Sequence, residues 1–273
     1  MSNRIAIVTG GNRGIGLAIV RALSNSPKTT VLLTSRDISA GKAAIASLTS
    51  ASSVQCHQLD TSDKRSIHKF YVKREYGKID VLINNAGVNL DHGQKFTAEN
   101  ARRTLDVNYY GTLHMCQSFI PLMQDGGRVV NIASVAGHLR SIPSEDIQSR
   151  FTDSNLDVNK LDEILKGYLS DVVDGTYVQK GWPNMRSYSV SKVAVIAMTN
   201  ILARENKHLY INSCCPGWVK TDMGGLVGKP TKSEDDGAKI PVRLAVGDIG
   251  GVSGEFWENP GIHDTEDGRV SKW

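Results

Sequence analysis

The sequence contains few cysteines and carries little net charge. Its 273 residues include four cysteines, none of them in a C-x-x-C pair, and its formal net charge is +4. This cysteine usage favours reduced thiols in the cytoplasm over a disulfide-stabilised secreted domain. Because Lys and Arg residues are scattered among acids and form no basic block, we expect no nucleic-acid partner. We also expect no bound metal.

Long apolar runs are missing as well. No stretch approaches the roughly 20 apolar residues that span a bilayer, and the first residues lead into a predicted strand without a basic and then apolar leader. We therefore expect neither a membrane partner nor an export signal. The sequence has no internal repeats, and its 40% hydrophobic content suits one large domain over residues 1–273.

A glycine-rich turn lies near the amino terminus. Ile5 to Val8 predicts a buried strand, Gly10, Gly11, Gly14 and Gly16 follow, and a helix is predicted from Ile15 to about Ser24. Glycine lets the backbone approach a ligand, and a helix amino terminus attracts anions. The turn therefore predicts a pyrophosphate site, with a ligand-free turn as the alternative. Its T-G-x-x-x-G-x-G spacing differs from the general G-x-G-x-x-G dinucleotide pattern.

Strand-like and helix-like segments alternate along the chain. Near-continuous apolar strands between amphipathic helices predict an α/β fold with a doubly wound, Rossmann-like parallel sheet, whose ligands bind at the carboxyl ends of the strands. A last strand at about Glu255 to Glu258 is expected to close one edge. The other predicted strands are Val31 to Thr34, Val54 to Leu59, Val81 to Asn84, Val129 to Ile132 and Ile211 to Cys215.

Three long helices are predicted to pack on this sheet, at Asp63 to Tyr76, Thr104 to Met123 and Arg186 to Glu205. Residues 138–183 interrupt the alternation with a polar stretch. Within it, apolar residues between Leu161 and Val173 recur at helical spacing. We predict an inserted helical segment before the helix that contains Tyr188.

Tyr188 and Lys192 are the strongest candidates for chemistry. Four positions apart on a helix, they share one face, and a cation beside a phenol is expected to lower the phenol pKa toward the range of a general acid. Ser134 follows the predicted fifth strand, and Asn108 lies in a predicted helix. Each also has an ordinary interpretation, as a surface helix pair, a turn hydroxyl or a polar residue that bends a helix.

Taken together, these motifs resemble the short-chain dehydrogenase/reductases over most of the chain. The glycine turn, the long segment before Tyr188 and the stretch from Pro216 to Gly225 are similar to the monomeric carbonyl reductases of that family. Most members have a far shorter gap between the serine and the tyrosine. The motifs that carry the resemblance are Thr9 to Gly16, Asn84 to Gly87, Asn108, Ser134, Tyr188 with Lys192, and Pro216-Gly217.

The resemblance implies a role for each candidate catalytic residue. Tyr188 would donate a proton to the carbonyl oxygen as hydride arrives from the nicotinamide, and Ser134 would hydrogen-bond to the same oxygen. Lys192 would lower the Tyr188 pKa and bind the nicotinamide ribose, while Asn108 would hold a water that connects Lys192 to solvent. The implied cofactor-binding residues are Gly10, Asn12, Arg13, Gly14, Ile15, Gly16, Arg36, Asp60, Thr61, Asn85, Ala86, Gly87, Tyr188, Lys192, Pro216, Gly217, Val219 and Thr221.

The choice between NADPH and NADH can be argued from charge. Enzymes that prefer NAD usually place an acid at the end of the second strand, where this sequence has Ser35 followed by Arg36. Arg36 and Arg13 would grip a 2′-phosphate, so we expect NADPH/NADP+ as the cofactor. If Asp37 turned inward instead, NAD would be accommodated.

The substrate site is expected at Ser134, Tyr188, Trp218 and Met223. The loop from Trp218 to about Lys229 is either a lid over an apolar carbonyl compound or a segment that packs locally. In related enzymes the helices that flank the insertion form the subunit interface, so we expect a monomer, with a mobile polar insertion as the alternative. Two functions remain open: an NADPH-dependent reductase of aldehydes, ketones or quinones, and a non-catalytic NADP(H)-binding sensor or scaffold.

Overall fold

The fold is built on one sheet of eight strands. The computed structural model describes residues 3–70, 77–92 and 95–273. The strand order is β3-β2-β1-β4-β5-β6-β7-β8, and all neighbouring strands are parallel except β7 and β8. This order confirms the predicted doubly wound sheet. The strands are β1 (Arg4–Val8), β2 (Thr29–Ser35), β3 (Val54–Gln58), β4 (Ile79–Asn84), β5 (Met123–Ile132), β6 (Tyr210–Cys214), β7 (Phe256–Glu258) and β8 (Arg269–Ser271).

β1 contains a continuous apolar run, Ile5 to Val8, because both faces of the sheet are covered. In β1, Ile5 and Ile7 belong to the hydrophobic cluster on one face, and Ala6 and Val8 belong to the cluster on the other. Successive side chains of a strand point to opposite faces, so a continuous apolar run is what two helical layers require.

Helices cover both faces. A five-residue π-helical turn, Asp106–Tyr110, joins the helices Ala98–Leu105 and Gly111–Phe119. The helices are α1 (Gly14–Ser24), α2 (Ile38–Ala46), α3 (Lys64–Lys69), α4 (Ala98–Leu105), α5 (Gly111–Phe119), α6 (Glu145–Phe151), α7 (Val158–Val173), α8 (Ser187–Glu205), α9 (Asp222–Gly225) and α10 (Glu234–Val246).

Two predicted helices differ from the structure. The helix predicted at Thr104 to Met123 begins earlier, because the Thr97 side chain caps α4 by accepting a hydrogen bond from the Asn100 N–H. It ends earlier too, where Pro121 lies in a short 3₁₀ turn and Met123 already begins β5. For the helix predicted at Asp63 to Tyr76, α3 begins after the capping carboxylate of Asp63. Positions 71–76 of that prediction lie outside the described residues.

The segment between β5 and α8 contains the predicted inserted helix, together with the shorter α6. Apolar residues of α7, among them Leu161, Leu165 and Tyr168, are buried in the main hydrophobic cluster. The Tyr109 hydroxyl, in the π-helical turn, donates a hydrogen bond to Asp162 of α7 at 2.8 Å. Val173, predicted on the apolar face, is 64% exposed because it is the last residue of the helix.

The prediction that the strand at Glu255 to Glu258 closes one edge of the sheet is wrong, because β8 lies at that edge. The short β7 lies at the predicted position, but it pairs with β6 on one side and with β8 on the other. β8 has one apolar residue, Val270, and that residue is exposed, so no apolar run indicates a strand there. None of the helices in the described ranges is both long and apolar enough to cross a membrane.

Candidate active site

One cleft of about 1550 Å³ runs along the carboxyl ends of the central strands. It is lined by the glycine turn, by the residues after β2 to β6 and by the start of α8. Every residue predicted for the cofactor or the substrate lines this cleft, and so do Ser134, Tyr188 and Lys192. Asn108 does not line it and is buried behind it, at 1% exposure.

The glycine turn has the backbone that only glycine adopts easily. Gly10 and Gly14 have φ angles of 61° and 57°, in the left-handed region. At Gly16 a Cβ atom would lie 2.2 Å from the Gly10 carbonyl oxygen. The turn therefore presents bare backbone to the cleft at the start of α1, which fits a pyrophosphate group.

Thr9 and Asn85 hold the turn in place. The Thr9 hydroxyl accepts hydrogen bonds from the N–H groups of Asn85 and Ala86, both at 2.9 Å. The Asn85 side-chain amide donates to the carbonyl oxygens of Thr9 at 2.9 Å and Gly10 at 3.2 Å. The Asn85 amide, predicted to bind the cofactor, thus also shapes the turn. The sequence analysis placed Thr9 in the glycine motif but gave it no such role, because its partners lie more than 70 positions away.

Asn108 connects three parts of the site. Its Oδ1 accepts a hydrogen bond from the Val88 N–H at 2.8 Å, and its Nδ2 donates to the Val88 carbonyl at 2.9 Å. Nδ2 also donates to the Ser191 hydroxyl of α8 at 3.0 Å. The π-helical turn around Asn108 directs this amide toward the cleft wall, and such turns are frequent at functional sites.

Tyr188 and Lys192 lie one turn apart on α8, as predicted. The Lys192 ammonium is 5.6 Å from the centroid of the Tyr188 ring and donates a hydrogen bond to the Ile132 carbonyl at 2.6 Å. Burial lowers the pKa of Lys192 to about 8. A depressed lysine pKa is typical of a cation that is held away from water.

The prediction that Lys192 lowers the Tyr188 pKa is corrected by the structure. Burial is the largest effect on Tyr188 and raises its pKa, and charge on Cys215 and Asp91 raises it further. The Ser134 hydroxyl acts in the opposite direction and lowers it. The net shift of the Tyr188 pKa is therefore upward, and the Lys192 ammonium donates its hydrogen bond to a backbone carbonyl.

Ser134 is positioned by the turn that follows β5. Its Oγ accepts a hydrogen bond from the Ala136 N–H at 3.2 Å, which caps the 3₁₀ turn Val135–Gly137. A hydroxyl that accepts from the backbone still has its own proton to donate. Gly137 lets this turn pack closely on α8, since a Cβ there would lie 2.8 Å from the Lys192 carbonyl carbon.

Comparisons with known proteins agree with this geometry. The family model described as short chain dehydrogenase matches residues 4–144, and one described as Enoyl-(Acyl carrier protein) reductase matches residues 159–252. Human carbonyl reductase (NADPH) 1 is 36% identical over 98% of both chains. The chain belongs to the short-chain dehydrogenase family. The resemblance predicted from the motifs is thereby confirmed.

Two further relatives of this short-chain dehydrogenase extend the comparison. Human carbonyl reductase (NADPH) 3 is 39% identical over 89% of this chain and 91% of its own. The structure of salutaridine reductase from Papaver somniferum superimposes with a TM-score of 0.85 at 31% identity, covering 93% of this chain and 99% of that one. The likeness therefore includes the insertion before Tyr188 as well as the sheet.

In this short-chain dehydrogenase, the end of β2 presents a cation and no free acid. Arg36 is exposed and lines the cleft. The carboxylate of Asp37 instead caps α2, where its Oδ1 accepts hydrogen bonds from the N–H groups of Ser39 at 2.8 Å and Ala40 at 3.2 Å. Asp37 therefore faces its own helix, which favours a 2′-phosphate over free ribose hydroxyls at this end of the cleft.

Arg13 reaches across the cleft. Its guanidinium donates a hydrogen bond to Asp222 at the start of α9, at 2.7 Å, and both side chains are largely exposed. Thr221 lies next to the glycine turn. A Cβ atom added to Gly14 would be 3.2 Å from the Thr221 methyl group. The loop after β6 thus contacts the glycine turn directly.

The loop from Trp218 to Lys229 has hydrogen bonds between its own residues and one side chain in the core. The Trp218 indole donates a hydrogen bond to the Gly224 carbonyl at 3.0 Å, and the Thr221 hydroxyl accepts one from the Gly224 N–H at 3.1 Å. Val219 is 2% exposed. These contacts account for local packing, whereas Met223 remains accessible in the cleft. The lid stays a prediction.

Sequence reasoning also missed Lys232, which is buried beneath this loop. It is 1% exposed, and within the described part of the chain its Nζ has no hydrogen-bond partner. A Cβ at Gly217, whose φ is 85°, would lie 2.7 Å from that Nζ. Gly217 therefore has both a left-handed backbone and no room for a side chain. An isolated lysine in a polar loop gives no sequence signal of this position.

Proposed function

We propose that this chain reduces a carbonyl compound to an alcohol with NADPH, and that Tyr188 donates the proton. The observation that carries the proposal is that Ser134, Tyr188 and the buried Lys192 line the same cleft as the glycine turn. Three relatives support it, because they are named carbonyl reductase (NADPH) 1, carbonyl reductase (NADPH) 3 and salutaridine reductase.

The residues of the cleft fit NADPH. The bare turn from Gly10 to Gly16 would hold the pyrophosphate, and Arg36 with Arg13 would hold the 2′-phosphate. When bound, NADPH supplies the hydride that reduces the carbonyl carbon. The remaining residues assigned to the cofactor line the same cleft, with Asp60 and Thr61 beyond β3 and with Pro216, Val219 and Thr221 after β6.

Two hydroxyl groups would act on the carbonyl oxygen. Ser134 and Tyr188 would both donate hydrogen bonds to it, and donors already in place stabilise the negative charge that develops there. Tyr188 then transfers its proton to that oxygen, which completes the alcohol. Lys192 would bind the nicotinamide ribose and favour return of a proton to Tyr188, and Asn108 would hold the water that links Lys192 to solvent.

NADPH oxidation followed by absorbance tests this proposal. Quinones, aromatic aldehydes and cyclic ketones form the panel, and we expect turnover of at least one class. Tight NADPH binding without turnover of any panel member would favour the alternative, a non-catalytic NADP(H)-binding sensor or scaffold. The comparisons give that alternative no support, since the relatives named above are reductases.

Replacing Arg36 by Ala is expected to raise the KM for NADPH by about tenfold or more, because a charge-assisted bond to the 2′-phosphate is lost. The KM for NADH should stay nearly unchanged, because NADH lacks that phosphate. Steady-state kinetics with both cofactors measure this difference. Arg103→Ala, on the exposed side of α4, is the matched control. Equal effects of Arg36→Ala on both cofactors would contradict the assignment.

We further propose a single-domain monomer in the cytoplasm, with residues 138–183 as its insertion. The buried apolar face of α7 and the bond from Tyr109 to Asp162 support a segment that covers a surface used for assembly elsewhere in the family. Sedimentation velocity is expected to give a species of about 29.7 kDa. A tetramer would contradict the proposal.

A further inference from the structure

The carboxylate of Asp91 contacts the first turn of α8 from outside that helix. Asp91 lies in the loop after β4, and its Oδ2 accepts a hydrogen bond from the backbone N–H of Tyr188 at 2.7 Å. Its Oδ1 accepts another from the Ser187 hydroxyl. One carboxylate, 97 positions earlier in the sequence, therefore holds two successive residues of α8, and one of them is Tyr188 itself.

This contact supplies a cap that α8 otherwise lacks. The first N–H groups of a helix have no partner within the helix and require one outside it. Arg186 occupies the position before α8, and among the described residues it makes no side-chain capping bond. Of the helices in the described ranges, seven others are capped by the residue directly before them, namely by Asp37, Asp63, Thr97, Ser144, Asp157, Thr221 and Ser233.

The loop that contains Asp91 is itself fixed to α8 at a second point. Val88 exchanges two hydrogen bonds with the Asn108 side chain, and Asn108 donates to Ser191, one turn after Ser187. The loop is therefore linked to α8 directly at Ser187 and Tyr188 and, through Asn108, at Ser191. A change in the loop at Asp91 would shift the start of the helix relative to Ser134.

We infer that Asp91 is a positioning residue for Tyr188, which fixes the start of α8 through the Tyr188 N–H and the Ser187 hydroxyl and places a negative charge beside the phenol. This inference rests on the proposed function, because it assigns Asp91 a part in carbonyl reduction. Asp91 also lines the cleft, so its charge lies on the same side of α8 as the reaction.

The charge of Asp91 shifts the Tyr188 pKa in a direction that experiment can detect. It adds to burial in raising the pKa of Tyr188, and so favours the protonated phenol that reduction consumes. The alcohol-oxidising direction needs the phenolate, which the same charge disfavours. The other groups that face Tyr188 or line the cleft nearby are Ser134, Lys192, Cys215, His92 and Arg186.

Two substitutions separate geometry from charge. Asp91→Ala removes both hydrogen bonds, and we expect kcat for reduction to fall about tenfold while the KM for NADPH changes less than about twofold, since a helix cap is lost. Asp91→Asn keeps an oxygen that can accept from the Tyr188 N–H and removes the charge. It should retain kcat within about threefold and move the alkaline midpoint of the pH–rate profile to lower pH, because the charge that raises the Tyr188 pKa is removed.

Hydrogen exchange gives a readout that needs no turnover. In Asp91→Ala, backbone exchange in a peptide covering residues 185–192 should increase by about tenfold, because the Tyr188 N–H loses its acceptor. Asp157→Ala is the matched control, since it removes an aspartate cap from α7 far from the cleft. It should change neither exchange at residues 185–192 nor the pH–rate profile.

Each outcome decides part of the inference. Unchanged kcat and unchanged exchange in Asp91→Ala would overturn the positioning role. An unmoved midpoint in Asp91→Asn would overturn the role of the charge. If the wild type turned over no carbonyl compound, the proposed function would fail instead, and the exchange measurement alone would decide whether Asp91 holds the helix.

Discussion

Replacing Tyr188 by Phe is expected to lower kcat for carbonyl reduction by about 10³-fold. The substitution removes only the hydroxyl that would donate the proton, and general acid catalysis of this kind contributes about 10² to 10⁴. The aromatic ring and its contact with Lys192 remain. NADPH affinity, measured by fluorescence titration, should therefore change less than about threefold, so that the loss falls on the chemical step.

Tyr210→Phe is the matched control for that variant. Tyr210 begins β6 at the opposite end of the sheet, with the Arg128 guanidinium 5.7 Å from its ring centroid. The control should keep wild-type kcat. Turnover by Tyr188→Phe within about tenfold of the wild type would mean that another group supplies the proton, and the assignment of Tyr188 would be wrong.

Replacing Lys192 by Met should have opposite effects on activity and stability. Burial holds the Lys192 pKa at about 8, below its usual 10.5. Keeping this side chain charged at neutral pH therefore lowers the free energy of unfolding. A shift of that size corresponds to about 3 kcal/mol, and loss of the bond to Ile132 offsets about 1 kcal/mol. We expect the variant to be more stable by about 2 kcal/mol at pH 7, while kcat falls by about 10²-fold.

The pH dependence of the stability gained in Lys192→Met tests whether the buried charge of Lys192 is the cause. Because the folded-state pKa is the lower one, the unfolded chain binds more protons between about pH 8 and pH 10.5, and wild-type stability from this group rises across that window. The advantage of Lys192→Met, measured by urea unfolding, should therefore fall to near zero by pH 10. Lys166→Met, exposed on α7, should show neither effect. An advantage independent of pH would point to packing instead of charge.

The sequence could predict the sheet and the place of the site, because both depend on patterns within short segments. Both faces of the sheet are covered, so β1, β2 and β4 each contain a continuous apolar run that is recognisable in the sequence. The residues that follow such strands meet at one end of the sheet, which is why the predicted cofactor residues line one cleft.

What the sequence could not predict depends on long-range contacts or on burial. The spacing of Tyr188 and Lys192 indicated their proximity, but the direction of the Tyr188 pKa shift depends on how deeply the fold buries the phenol. The cap from Asp91 comes from a loop 97 positions away. The π-helical turn at Asn108 differs from an α-helix by one residue, which no periodicity reveals over five positions.

The bonds between Thr9 and the chain after β4 have a consequence for the order of folding. The shape of the glycine turn depends on N–H groups and an amide that lie about 75 positions further along the chain. During synthesis, β1, α1 and β2 therefore emerge well before the residues that complete the turn. Since contacts so distant in sequence form late, affinity for a phosphate group should arise only when β4 joins β1, as a property of the assembled sheet and not of its first βαβ unit.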